Sequence, residues 1–249
     1  MTMKKYIILM VLCLLWFPVH AQTKAEADSA YASEQYDKAI DIYTKLLKNG
    51  EHAAIYYNLG NCYYRTGQMA DAILNYERAL LLQPGNGDIR FNLDLARSKT
   101  VDKIVPESEM FFVTWMKSLV NLSSADGWAR AGIVAFILMG LLVMLYLFAQ
   151  KIAYKKLGFF GALAMLVVLV LVNVFAAYQS RRIKDRTGAV IMATSVEVKS
   201  TPNESGTVLF VLHEGTHVEI VDQSMKDWKE IRLSDGKVGW LPSNSMEVI

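Results

Sequence analysis

Tyr56-Tyr57-Asn58-Leu59-Gly60-Asn61-Cys62-Tyr63 decides how the first part of this chain is read. Its Tyr57-Asn58-Leu59 recurs as Phe91-Asn92-Leu93, about 34 residues later. Ala39-Ile40 and Tyr43 recur, at nearly the same displacement, as Ala72-Ile73 and Tyr76. The segment 22–104 is rich in Ala, Tyr, Leu and charge, with helical periodicity. A period of that length predicts two helices per unit. Gly60 and Ala72 are small, as needed where antiparallel helices cross closely, and Tyr63 and Tyr76 fill the gaps around them. Gly67 suits the turn between the helices, and Pro84 stops the second one.

Tyr56, Leu59, Gly60, Tyr63, Ala72, Tyr76, Ala79 and Pro84 together resemble the tetratricopeptide repeat (TPR) pattern. The first unit is partial: Tyr36, Ala39 and Tyr43 match, but Ala27 and Ala30 replace the usual Gly and Tyr. The third unit has only its first helix, roughly Asp88 to Thr100. The reading is two repeats plus a capping helix. The resemblance implies a concave groove for an extended peptide or a partner helix. Its candidate residues are Asn58, Asn61, Tyr64, Arg65, Asn92 and Arg97. Asn pairs with a peptide backbone as both donor and acceptor. Asn58 and Asn92, at equivalent positions, either do this or bond the neighbouring helix. Asn61 and Arg65 lie one turn apart on one face and suit direct contact. Cys62 reads as a small buried hydrophobe, with a redox sensor as the alternative.

Across 249 residues the composition is 53% hydrophobic, with net charge +2, and mean hydropathy is +0.23. Such hydrophobicity suggests membrane spans, and so balanced a charge argues against nucleic acid. Lys4-Lys5, the apolar run Tyr6 to Phe17 and Val19-His20-Ala21 fit a signal peptide, 1–21, cleaved after Ala21. An uncleaved anchor is the alternative. Cys13 would leave with a cleaved peptide, so Cys62 alone remains and no intrachain disulfide is available. Segment 105–127 is an amphipathic connector whose Met110 to Val120 stretch lies at the membrane surface or packs on the last TPR helix. Segments 128–150 and 157–178 are each long and apolar enough to span a bilayer. Asn173 in the second bonds another helix or is simply tolerated. The loop 151–156 holds Lys151, Lys155 and Lys156, which places it in the cytoplasm and both flanking segments outside. Arg181, Arg182, Lys184 and Arg186 oppose that assignment.

From Thr187 the pattern turns to short strands separated by Pro202-Asn203, Glu214-Gly215 and Ser234-Asp235-Gly236. A small all-β barrel is expected over 187–249. Within it, His213-Glu214-Gly215-Thr216-His217 matches H-E-x-x-H, which binds zinc only on a helix. Its flanks, Val208 to Leu212 and Val218 to Val221, read as strands, so the motif is expected at a strand–turn–strand corner. Val196 to Pro202, Leu212 to Thr216, Trp228 to Leu233 and Asp235 to Leu241 resemble the motifs of a bacterial SH3 (SH3b) domain. That resemblance implies peptidoglycan or proline-containing peptides as ligands. Trp228 and Trp240 are the candidate stacking residues, with packing inside the barrel as the alternative, favoured for Trp240.

Signal peptide, TPR units, two spans and SH3b module, in that order, resemble the BatE family of TPR proteins from Bacteroides aerotolerance operons. The fold class is thus a multi-domain membrane protein: a TPR solenoid, a two-helix hairpin and a small β-barrel. The resemblance implies an inner-membrane protein working with Bat proteins that carry von Willebrand factor A domains, in oxygen or envelope-stress tolerance. No catalytic residues, metal site or cofactor are expected, and a non-enzymatic adaptor is the leading reading. A peptidoglycan receptor acting through the SH3b module is the alternative. A zinc protease at HEGTH is the third reading.

Overall fold

The computed structural model describes residues 18–249, with side chains from 24 onward. Of the predicted signal peptide, 1–17 lies outside the described residues and 18–21 opens the first helix. Five helices form the repeat segment: α1 (Pro18–Ala32), α2 (Tyr36–Leu47), α3 (Ala53–Thr66), α4 (Met69–Leu82) and α5 (Gly87–Arg97). Gly67, with φ 83°, caps α3 in the left-handed conformation that glycine adopts without strain. A Cβ on Gly60 would lie 2.7 Å from the Tyr76 ring, so α3 and α4 meet across a contact that admits only hydrogen. Two apolar clusters hold the stack. Ala27, Ala39, Tyr43, Leu59 and Cys62 join α1, α2 and α3. Tyr56, Ile73, Tyr76, Ile89 and Leu93 join α3, α4 and α5.

After a short helix, α6 (Phe111–Val120), come two long ones, α7 (Ala125–Phe148) and α8 (Ile152–Asp185). Both are long and apolar enough to cross a membrane. Their apolar side chains are largely exposed, Phe136, Leu147, Phe160 and Val174 among them. Gly158 lets the pair close tightly, since a Cβ there would meet the Tyr146 amide nitrogen at 2.6 Å. Asn173 donates to the Leu169 carbonyl of its own helix at 2.8 Å. The turn between α7 and α8 is Ala149 to Lys151, and Lys155 and Lys156 already lie on α8. At its far end α8 continues past Tyr178 through Arg181, Arg182 and Lys184. Helical hydrogen bonding does not stop where the apolar run stops.

The C-terminal segment forms β1 (Gly188–Ile191), β2 (Ser195–Lys199), β3 (Val208–His213), β4 (His217–Asp222), β5 (Trp228–Arg232), β6 (Val238–Pro242) and β7 (Met246–Val248). They make one antiparallel sheet in the order β3-β2-β6-β5-β4-β1-β7. The expected closed barrel is therefore an open sheet: β3 and β7 are its two edges. Its core, built of Ala189, Ile191, Val198, Leu212, Val218, Ile231 and Leu241, draws on β1 through β6. The short β7 pairs only with β1. The residue after it, Ile249, joins the core of the helical repeats with Val190 instead of turning back toward β3.

The sheet docks on the repeats through specific polar contacts. Arg78 on α4 donates to Glu247 at 2.8 Å and to the Val248 carbonyl at 2.7 Å. Asp102, just after α5, accepts from the His213 backbone N–H at 2.7 Å and the Thr216 hydroxyl at 2.6 Å, and its other oxygen lies 2.9 Å from His213 Nδ1. Burial alone would raise the Asp102 carboxyl. The bonds from Thr216 and His213 outweigh it and hold the group below the usual carboxylate range.

Candidate functional site

The HEGTH stretch does not form a zinc-protease helix. His213 ends β3, Glu214 to Thr216 turn, and His217 begins β4. Gly215 sits at φ 83°, and a Cβ there would press on Thr100 and on Ile73 at 2.8 and 3.0 Å. The turn is thus shaped to seat against the repeats, and Asp102 ties it there.

The repeat segment carries a cavity of about 150 Å³ lined by Tyr31, Asn61, Tyr64, Arg65, Tyr76, Asn92 and Leu95. Four of the six predicted groove residues, Asn61, Tyr64, Arg65 and Asn92, come together here. The helical period explains it: positions 61, 64 and 65 share one face of α3. Asn92 and Leu95 supply the facing wall from α5.

Asn61 is the hub of this wall. Its Oδ1 accepts from the Tyr76 hydroxyl at 2.8 Å and from Asn92 Nδ2 at 2.9 Å. Asn92 also donates to the Tyr57 hydroxyl at 3.0 Å. Burial pushes the Tyr76 hydroxyl well above the ordinary tyrosine range, so it stays a donor at any physiological pH. The Asn61 amide donors find no protein acceptor among the described residues and remain available to a ligand. Arg65 uses Nε to donate to the Tyr36 hydroxyl at 3.1 Å, with its guanidinium carbon 5.8 Å from that ring. Its terminal amines are left for a ligand. Lys99 stands over the Tyr64 ring at 4.2 Å and adds a second cation near the rim. Phe91 and Leu95, both exposed, extend an apolar strip along α5.

Asn58 and Arg97 lie elsewhere. Asn58 donates to Asp28 at 3.2 Å and to the Tyr43 hydroxyl at 3.3 Å, bracing α1 to α3. Arg97 pairs with Glu77 on α4. Cys62 is fully buried, and burial pushes its thiol up to about 11, which leaves almost no thiolate at neutral pH.

In the sheet, Trp240 pairs with Glu230, and Trp228 pairs with Pro242. These positions alternate with Ile231 and Leu241, which face the core. Trp228 and Trp240 therefore project from the opposite face, both half-exposed. Trp240 is not packed in the sheet's core, because strand alternation puts Gly239 and Leu241 there. Lys199, opposite Trp240, has its amine 5.8 Å from the Trp228 ring and 2.9 Å from Glu204.

Arg78 and Asp102 were not legible as site residues, since their partners lie far away in sequence. Tyr31 and Leu95 carry no signal beyond helical spacing.

The comparisons with known proteins bear on the repeats. Residues 24–89 match the family described as tetratricopeptide repeat. No curated protein matches the chain. Among solved structures, one similar chain is the Yersinia enterocolitica type III secretion chaperone SycD in complex with a peptide of the translocator YopD. It is 17% identical, with 62% of this chain and 92% of that chain covered and a TM-score of 0.30. Yeast Tom70 is similar at 15% identity, with 68% of this chain and 26% of that chain covered and a TM-score of 0.31. The tetratricopeptide repeat match takes in the helices packed around Gly60 and Tyr76.

Proposed function

We propose that this chain is a non-enzymatic, membrane-anchored adaptor that holds a protein partner in its TPR groove outside the cytoplasm. The observation that carries the reading is the groove itself. Asn61 and Arg65 present free donors beside Tyr31, Tyr64 and Leu95 in one open cavity. Free donors flanked by aromatic and apolar surface suit the backbone carbonyls and side chains of an extended peptide.

The anchor is the α7–α8 pair. Its exposed apolar surface has no place in water. Lys151, Lys155 and Lys156 at its turn favour the cytoplasmic side, which leaves repeats and sheet together on the outer face of an inner membrane. The contacts from Arg78 and Asp102 into the sheet are consistent with that common side. The resemblance to the BatE family supplies a partner class: Bat-type membrane proteins with von Willebrand factor A domains, in oxygen or envelope-stress tolerance.

The outward Trp228 and Trp240, beside Lys199, favour a second reading. In it the sheet acts as an SH3b-like module and binds peptidoglycan.

A crosslinked pull-down of the full chain from native membranes tests the first reading. The substitutions are Tyr64→Ala with Arg65→Glu, which spare Asn61 because Tyr76 and Asn92 depend on it. Recovery of a von Willebrand-type membrane protein should fall by about tenfold or more, the loss typical of a central contact, with helicity unchanged. Undiminished recovery ends the groove assignment. For the second reading, the detergent-solubilised chain is sedimented with purified cell wall. Co-sedimentation that disappears with Trp228→Ala and Trp240→Ala supports it, and its absence in the unsubstituted chain removes it.

A further inference from the structure

Arg181, Arg182, Lys184 and Arg186 follow the apolar run of α8, at its far end, on the side that charge asymmetry would leave poor in cations. Two of them line a cavity of about 150 Å³ where the repeats, the end of α8 and the sheet meet. Arg90 from α5, Asn121 after α6 and His217 from β4 complete its polar wall, with Glu77 from α4.

The charges in this wall do not cancel. Glu77 pairs with Arg97, and Arg186 pairs with Glu51. Among the described residues, Arg90 and Arg182 have no carboxylate partner. Each is instead held by a neutral oxygen: Arg90 donates to the Pro84 carbonyl at 2.8 Å, and Arg182 to Asn121 Oδ1 at 3.3 Å. A guanidinium fixed by one donor keeps the rest of its fork for a ligand, and that fork matches the geometry of phosphate oxygens.

The depth of the cavity follows from the polar contacts just beneath it. Gln179, almost fully buried and one turn before Arg182, donates to the Val120 carbonyl and to Asn121 Oδ1, each at 3.1 Å. Trp128 Nε1 donates to the same Val120 carbonyl at 2.8 Å, with its ring against Phe175. Below this layer, beyond Arg130, the two helices are apolar but for Asn173, and above it the chain is charged. A tryptophan at such a boundary sits at headgroup level.

From this we infer an anion site for a phosphate ester, held between Arg90 and Arg182 and supplied by the headgroup of an anionic lipid. The inference rests on the membrane reading above. It also accounts for one of the opposing cations, Arg182, which holds a headgroup rather than reports topology.

The test uses the full chain, expressed in membranes. Alkaline extraction comes first. Release of the chain into the supernatant would end the membrane reading and this inference with it. If the chain stays with the membrane, it is placed in bilayer discs of phosphatidylcholine with or without phosphatidylglycerol, and its co-purified lipid is counted by native mass spectrometry. Selective retention of phosphatidylglycerol is expected. It should drop by about tenfold or more in Arg90→Gln with Arg182→Gln, each arginine near a charged surface contributing roughly fivefold. It should hold in Arg181→Gln with Lys184→Gln, whose side chains are outside the cavity. An equal drop in both variants would reduce the effect to surface charge and overturn the site. Binding of inorganic phosphate with no lipid retained would overturn the lipid as the source. No selectivity in the unsubstituted chain, still membrane-embedded, overturns the site alone.

Discussion

The two junctions of the repeat stack use one arrangement with two different acceptors. At the first, Asp28 Oδ1 accepts from the Tyr43 hydroxyl at 2.6 Å and from Asn58 at 3.2 Å. At the second, Asn61 Oδ1 accepts from Tyr76 at 2.8 Å and from Asn92 at 2.9 Å. Each trio occupies corresponding repeat positions. The difference is the acceptor's chemistry. Asp28 is an acceptor only, and Lys24 closes it off at 2.7 Å. Asn61 carries donors as well, and it faces a cavity beside Arg65. The first junction is thus sealed by charge, while the second uses only half of its amide for structure and keeps the other half for a ligand.

The largest expected effect comes from removing the second acceptor. Asn61→Ala strands the hydroxyl of Tyr76, a residue 1% exposed, and removes one bond of Asn92. Leaving buried polar groups unsatisfied costs about 2 to 4 kcal/mol for the pair. Asn58→Ala at the first junction should cost only about 1 kcal/mol, because Tyr43 keeps Asp28 as its acceptor. Urea unfolding of both variants decides the point. Equal losses would show that the acceptors are not what distinguishes the junctions.

The next effect concerns the helix crossings. Ala27 stands in the first unit where Gly60 stands in the second, and it is fully buried without conflict. Gly60→Ala would drive a Cβ into the Tyr76 ring at 2.7 Å and should destabilise by about 2 kcal/mol in spite of alanine's better helix propensity. Ala27→Gly should cost about 1 to 2 kcal/mol, from helix propensity together with the lost packing of its buried methyl. Thermal unfolding that left Gly60→Ala as stable as the unsubstituted chain would mean that α3 and α4 can separate without loss.

Much of this contrast could be read from residue types. Gly60, Ala72 and Tyr76 predict the close helix crossing, and the spacing of Asn61, Tyr64 and Arg65 places them on one face, because both follow from helical period and side-chain size. Asn58 was ambiguous for a physical reason. Its role depends on Asp28, which occupies the acceptor position with a different residue type and so breaks the repeated pattern. The sheet shows the same boundary. Strand patterning marks β3 and β4 on either side of the HEGTH turn, but β7 is three residues long and pairs only with β1. The docking of the HEGTH turn depends on Asp102, 111 residues before His213. No local pattern encodes a contact at that range, and Asp102 read as part of a polar connector.

The smallest effect tests the acceptors by exchange. Asp28→Asn gives the first junction the chemistry of the second, since an amide oxygen accepts the same two bonds. Burial alone would raise the Asp28 carboxyl, but hydrogen bonds from Lys24, Tyr43 and Asn58 outweigh it and hold the group below the ordinary carboxylate range. A group depressed in the folded state stabilises above its unfolded value. That contribution is lost as pH falls through the folded value. The side chain is 42% exposed, so water screens the tie, and about 0.5 to 1 kcal/mol is expected from it at neutral pH. The stability difference between the unsubstituted chain and Asp28→Asn should therefore be present at pH 7 and fade once pH drops below about 4. Asp102 and Glu51, also depressed, titrate in the same range in both chains and cancel in that difference. A difference that stayed constant down to the acid limit would assign the cost of the exchange to packing, and the charge at the first junction would then be incidental to its seal.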